Sequence, residues 1–273
     1  MSGDGVSRRT GNLSPEKQAL LVLQMKKKKA AEAAAARTAS GMPRRPEPSA
    51  PAPLSFAQQR LWLLDRLEPG TTAYNMPIHA RLRGALDAAA LELAVGAILR
   101  RHDALRTTFV ERDSQPVQVV SPPGSFRLPA ADLSGLPEEL RRAEESRLLV
   151  ASGRPFDLER GPLFRAALVR LAPGEHLLLL DMHHIVSDGW SFGVFFRELA
   201  ALYESFHDGR VPTLPILPEL PVQYPDFAVW QREWLQGAVL DEQLAYWRER
   251  LAGAPPELEL PLDRVRPAVQ AHR

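Results

Sequence analysis

The sequence predicts an α+β fold, on three observations. Some segments carry apolar residues at helical spacing and others are short β-rich runs, and the two kinds mix without a regular βα repeat. No G-x-G-x-x-G or P-loop follows any strand, which removes the nucleotide-binding α/β folds. The runs Phe164 to Leu171 and His176 to His183 flank Pro173-Gly174, as an antiparallel pair would.

The elements follow in chain order. Residues 1 to 13 are polar and Gly-rich, and Ser14-Pro15-Glu16 then offers an N-cap, a first-turn proline and an early acid. A helix is expected over about 15–37. It is either a solvated linker, since Lys26 to Lys29 and the following alanines bury little, or a docking helix whose lysines steer a partner. Residues 38–53 are rich in Pro, Ala and Arg and read as an extended tether. The folded body is expected from Leu54 to the end, over 54–273. Helices are predicted at Phe56 to Leu67, Leu86 to Arg101, Pro137 to Leu149, Ser191 to Phe206, Tyr224 to Leu235 and Leu240 to Leu251. Further strands are predicted at Asn75 to Leu82, Leu105 to Val110 and Val117 to Val120.

Composition narrows the function classes. The 273 residues contain no cysteine, so disulfides, thiolate metal sites and a catalytic thiol are excluded. No run reaches the roughly 20 apolar residues of a membrane span, and the N-terminus lacks a secretion pattern, so the chain reads as cytoplasmic. The net charge of +1 hides an asymmetry. Residues 1 to 53 carry ten Lys or Arg against four acids, which leaves the body mildly acidic. An acidic body without basic and aromatic interleaving does not read as a nucleic-acid binder.

Chemistry concentrates in His176 to Ser191, HLLLLDMHHIVSDGWS, an apolar strand that ends in two histidines, an aspartate and a glycine. Period two places Leu178, Leu180, Met182 and His184 on one face, and Leu177, Leu179, Asp181 and His183 on the other. The two histidines then point opposite ways and cannot share one metal, so no metal is expected. Asp188 suits the N-terminus of the helix that follows, and Gly189 leaves room for a close backbone approach. The five tryptophans read as core or lobe-surface fillers, and Gln58, Gln59 and Arg60 as residues ordering the first helix. The remaining histidines show no local partners that suggest chemistry.

His183-His184-Ile185-Val186-Ser187-Asp188-Gly189 resembles the HHxxxDG signature of nonribosomal peptide synthetase condensation domains, relatives of chloramphenicol acetyltransferase. Leu54 to Trp62 (LSFAQQRLW) resembles the family's opening motif, and Arg101 to Phe109 (RHDALRTTF) its second. Tyr224 to Gln231 (YPDFAVWQ) and Leu260 to Arg264 (LPLDR) resemble the segments after the histidines. The order and spacings match from Leu54 to about Pro267. Asp103, where glutamate is frequent, and Val265 depart from the pattern.

The resemblance implies a lobe of the chloramphenicol acetyltransferase-like fold and an amide-forming acyltransferase. Its two thioester substrates arrive on phosphopantetheine arms of donor and acceptor carrier proteins, with no cofactor bound directly. It implies that His184 faces the reaction, as general base or by holding the amine. It also places Asp188 and Gly189 with His184 in the catalytic motif, with His183 and Arg106 in support, and implies that Asp188 pairs with Arg106 to fix the loop. A complete domain of this kind has two lobes, so the chain is expected to supply the first, to need the second lobe and neighbouring adenylation and carrier domains, and to be inactive alone. The other readings are a coenzyme A-dependent acyltransferase of the same superfamily and a half-domain that only recruits carrier proteins.

Overall fold

The computed structural model describes residues 41–208, 217–255, 261, 263 and 264. The helix expected over 15–37 lies outside them.

Two sheets organise the body. The larger has the order β2-β7-β6-β5, built from β2 (Asn75–Arg83), β5 (Ala130–Asp132), β6 (Phe164–Ala172) and β7 (Glu175–His183). Strand β7 pairs antiparallel with β2 along its whole length and with β6, while β5 joins β6 in parallel. The hairpin between β6 and β7 closes at Gly174, whose φ of 70° is a left-handed conformation that glycine adopts freely. The smaller sheet has the order β1-β4-β3, from β1 (Ala52–Pro53), β3 (Thr107–Arg112) and β4 (Gln115–Val120).

Alternation along β6 and β7 sends residues to opposite faces of the larger sheet. Leu178, Leu180 and Met182 meet α2 (Ala88–Arg101) and α4 (Gly189–His207) through Leu91, Val95, Ile98, Phe195 and Leu199. On the other face Leu177 and Leu179 pack with Val169, Leu171 and Leu148 of α3 (Glu138–Ser152). Strand β7 is therefore buried on both sides, which is why it reads as a nearly continuous apolar run. A third cluster joins Leu54, Leu61 of α1 (Phe56–Leu67), Phe109, Phe156 and Ile185, and so ties the smaller sheet to the histidine turn.

Three sequence expectations change. The stretch from Leu105 does not begin as a strand. Asp103–Arg106 forms a 3-10 turn before β3 starts at Thr107, because the Thr107 hydroxyl and the Arg106 guanidinium both bond back into that turn. The tether is anchored to the body before Leu54, and a turn closed by the Ala50 N–H on the Glu47 carbonyl interrupts its extended course. Arg45 donates to Asp226 at 3.2 Å and to the carbonyls of Pro48 and Ala50, Arg44 donates to the Pro221 and Leu220 carbonyls, and Ala52 and Pro53 pair with β4. Pro53 is tolerated because β1 is an edge strand. Strand β5, three residues long, is an addition that the sequence does not predict.

The chain divides into two compact units near Trp230. In the second, the Trp230 and Trp234 rings stack at 5.3 Å within α5 (Tyr224–Trp234), and α6 (Ala238–Arg250) carries exposed Leu244, Tyr246 and Trp247. Among the described residues no helix is long and apolar enough to cross a membrane.

Candidate active site

The histidine turn begins where β7 ends. His183 is the last strand residue, and its ring enters the cluster around Phe156 and Tyr74, with ring centroids 6.0 and 6.4 Å away. It is only 2% exposed, and its Nδ1 accepts the Ile185 N–H at 3.1 Å, which puts the proton of the neutral ring on Nε2. Burial holds its pKa down at about 4, with His184 as a smaller contribution.

His184 turns the other way. Its backbone N–H donates to the Tyr74 carbonyl at 2.8 Å, and its side chain is exposed. Its Nδ1 lies 2.7 Å from the Ser187 carbonyl oxygen. A carbonyl can only accept, so Nδ1 carries a proton, and in the neutral ring the Nε2 lone pair is left free. The opposed directions of the two rings agree with the period-two reading.

Asp188 caps α4. Its Oδ1 accepts the Ser191 N–H at 2.8 Å and the Ser191 hydroxyl at 2.6 Å, and Ser191 Oγ accepts the Asp188 N–H in return. These bonds, Ser191 hydroxyl first, hold the Asp188 carboxyl below its ordinary range. A Cβ at Gly189 would meet nothing within 4 Å, so no atom of the described chain requires glycine there.

The expected pair of Asp188 with Arg106 does not form. Arg106 donates to the carbonyls of Leu99 at 2.9 Å, Arg100 and Ser121, and to Asp103 Oδ1 at 2.5 Å. Its guanidinium ties the end of α2 to the exit of β4, and Ser191 is the nearer partner for Asp188. Arg106 is thus architectural in a different place.

A buried polar network backs the turn. Ser55 and Gln58 form a capping box on α1, Gln118 donates to Gln58 Oε1 at 3.3 Å, and the Ser55 and Tyr224 hydroxyls share a bond at 3.0 Å. Gln58 is buried while Gln59 and Arg60 are exposed, so of the three only Gln58 is enclosed. Beside His183, Asp181 is 1% exposed and accepts from Asn75 at 3.2 Å, with Arg165 at 3.8 Å. Burial pushes its carboxyl up to about 6, against the opposing pull of Arg165.

One long-range contact escapes a sequence reading, and one tryptophan takes the surface place of the two the sequence allowed. His102, just past the end of α2, has its Nε2 2.6 Å from Glu198 of α4, 96 residues away, and Glu198 also takes Arg101 at 3.0 Å, contacts that no local spacing reveals. Trp190 is 80% exposed, so it fills no core. Among the described residues no three His, Asp or Glu side chains gather as metal ligands would.

The model of the family described as "Condensation domain" matches residues 49–273. The chain belongs to the condensation-domain family. It is 52% identical over 221 residues to one of the linear gramicidin synthase proteins of Brevibacillus parabrevis, a match that covers 81% of this chain and 3% of that protein. It is 43% identical over 267 residues to phosphinothricin tripeptide synthetase PhsC of Streptomyces viridochromogenes, covering 97% of this chain and 24% of that one. Among solved structures, the X-domain from teicoplanin biosynthesis superposes with a TM-score of 0.68 at 36% identity, over 83% of this chain and 48% of that chain. The chain thus spans about half of that solved domain and a small part of the curated synthetases. The α+β lobe expected from the sequence is the lobe that these structures share.

Proposed function

We propose that the chain supplies the histidine-bearing lobe of an amide-forming condensation domain in a nonribosomal peptide synthetase. The observation that carries this is the state of His184: exposed, its Nδ1 proton engaged by the Ser187 carbonyl, its Nε2 lone pair directed away from that bond. Such a ring takes the proton of an attacking amine as general base, and the carbonyl behind it steadies the imidazolium that results. The amine nitrogen of the acceptor attacks the donor thioester carbonyl. A C–N bond forms and the C–S bond breaks, and the amine proton passes through His184 Nε2 to the departing thiolate of the donor arm.

His183 and Asp188 hold the turn, His183 from inside the fold and Asp188 by capping α4. Gly189 keeps the approach to the turn free of a side chain. The substrates reach the site on the phosphopantetheine arms of two carrier proteins. The second lobe and the adjoining adenylation and carrier domains complete the assembly in the cytoplasm.

The test joins this chain to the second half of a condensation domain and follows dipeptide formation between loaded carrier proteins by mass spectrometry. Product from the native joined protein and its loss in His184→Ala support the reading. Product from free coenzyme A thioesters without a carrier would point to the coenzyme A-dependent superfamily instead.

A second reading has its own observation. The X-domain, 35% identical in one further solved structure, was captured there in complex with OxyB. A chain of this kind could serve as a recruitment surface without chemistry. Carrier or partner binding unchanged by His184→Ala, with no product from the joined protein, would establish that reading.

A further inference from the structure

A cavity of about 590 Å³ opens between α2, α4 and the segment that leads into α5, and the histidine turn supplies part of its wall through Val186 and Ser187. Its lining is mainly apolar and includes Ile98, Leu105, Met182, Val194, Phe195 and Val222. The volume falls within the range of about 300 to 1,000 Å³ usual for small-molecule sites.

The polar groups on that wall are already spent. Ser187 Oγ donates to the His183 carbonyl at 3.1 Å, and Ser191 Oγ to Asp188 at 2.6 Å. The Tyr224 hydroxyl shares its bond with Ser55, and His102 Nε2 is held by Glu198. Gln223 gives its amide N–H to the Arg101 carbonyl at 2.9 Å and takes the Asp103 N–H at 3.0 Å. No Asp, Glu, Lys or Arg side chain lines the cavity. Apart from the exposed indole of Trp190 at the wall, an occupant meets mainly apolar surface and polar side chains that already hold a partner in the chain. A charged side chain entering it would lose its water and meet no opposite charge in exchange.

We propose that this cavity is a specificity pocket for an uncharged, apolar side chain of aromatic or long aliphatic size, carried by one of the two thioester-bound residues. The inference rests on the condensation reading for the source of that side chain. The occupant touches Val186 and Ser187, and the Ser187 carbonyl is what orients the His184 ring. Seating the correct side chain and aligning the histidine are thereby coupled through one turn.

The probes are pantetheine amides of phenylalanine, leucine, aspartate and lysine, each made with a free α-amine to imitate the acceptor and with an acetylated amine to imitate the donor. Calorimetric titration of the full chain compares the native protein with Val194→Trp, which fills the half-buried part of the wall, and Val194→Ala, which enlarges it. The phenylalanine and leucine probes are expected to bind roughly tenfold or more tightly than the aspartate and lysine probes. Val194→Trp abolishes that preference, and Val194→Ala moves it toward a larger naphthylalanine probe. The amine form that shows the preference assigns the pocket to acceptor or donor.

Equal affinity for phenylalanine and aspartate probes overturns the proposal, as does a preference that survives Val194→Trp in a variant with a native melting profile. Should Val194→Trp fail to fold, Val194→Ala decides, and an unshifted preference overturns the proposal. If the preference holds but the joined two-lobe protein forms no amide, the pocket stands and the condensation reading falls. If amide forms with equal kcat/KM for phenylalanine and aspartate substrates in both positions, the condensation reading stands and the pocket falls.

Discussion

The buried flank of the histidine turn and its open flank are built by different means. On the buried side His183, Ile185 and Phe156 are packed with Leu54 and Leu61, and the Ser55 and Ile185 N–H groups bond to Gln58 and His183 of the chain itself. On the open side His184, Asp188, Gly189 and Trp190 are all exposed, and order comes from two short local devices, the Ser187 carbonyl and the Asp188 cap. The contrast shows how one strand end serves two purposes. The packed histidine anchors the turn, and the exposed one stays free to meet a substrate.

The largest break in that comparison should come from His184. Removing a general base lowers rates by about 10² to 10⁴-fold, while an exposed side chain away from the core changes stability by only about 0.5 kcal/mol. His184→Ala in the joined domain should therefore lose single-turnover amide formation by that factor with its urea midpoint nearly unchanged. His183→Ala should do the reverse in kind. It empties a packed site and frees the Ile185 N–H, so stability falls by about 2 to 4 kcal/mol, read from urea unfolding of this chain.

Acid sharpens the same contrast. The folded chain resists protonating His183 until about pH 4, whereas the unfolded imidazole takes its proton near 6.5, so stability falls as pH drops through that window. Asp181 has the opposite sign. Its folded carboxyl keeps its proton up to about 6, against 3.8 unfolded, so acidification from 6 to 4 adds stability and partly offsets the loss at His183. Asp181→Asn removes the offset. The variant should exceed the native chain by about 1 to 3 kcal/mol near pH 8 and lose that lead by about pH 4, in urea titrations across the range. Equal midpoints near pH 8 would contradict the burial cost assigned to Asp181.

The smallest expected effect concerns the pair that did not form. A double-mutant cycle of Asp188→Ala with Arg106→Ala should show coupling below about 0.5 kcal/mol, since the two side chains share no partner. Asp188→Ala alone should still cost about 1 kcal/mol through the lost cap.

The sequence was readable where pattern and local chemistry coincide. Helix α1 has the expected bounds because the Ser55 and Gln58 capping box marks its start, and β7 stands out because burial on both faces makes it a continuous apolar run. The opposite directions of His183 and His184 follow from strand period alone. What depended on distant residues was not legible: β5 is a short edge strand without a pattern of its own, Arg45 finds Asp226 from 181 residues away, and His102 finds Glu198. Arg106 was the partner expected for Asp188, and Ser191, three residues on, competes at far lower entropic cost than a distant guanidinium. The cavity beside the turn was hidden for the same reason, because its wall is assembled from four separate segments.

The most direct test of the account is the tautomeric state of the two adjacent histidines, read from imidazole ¹⁵N shifts of this chain at neutral pH. His184 should carry its proton on Nδ1 with a free Nε2, and His183 should carry its proton on Nε2 with Nδ1 taken up by the Ile185 N–H. A proton on His184 Nε2, or the same tautomer on both rings, would contradict the assignment of one histidine to the fold and the other to the chemistry.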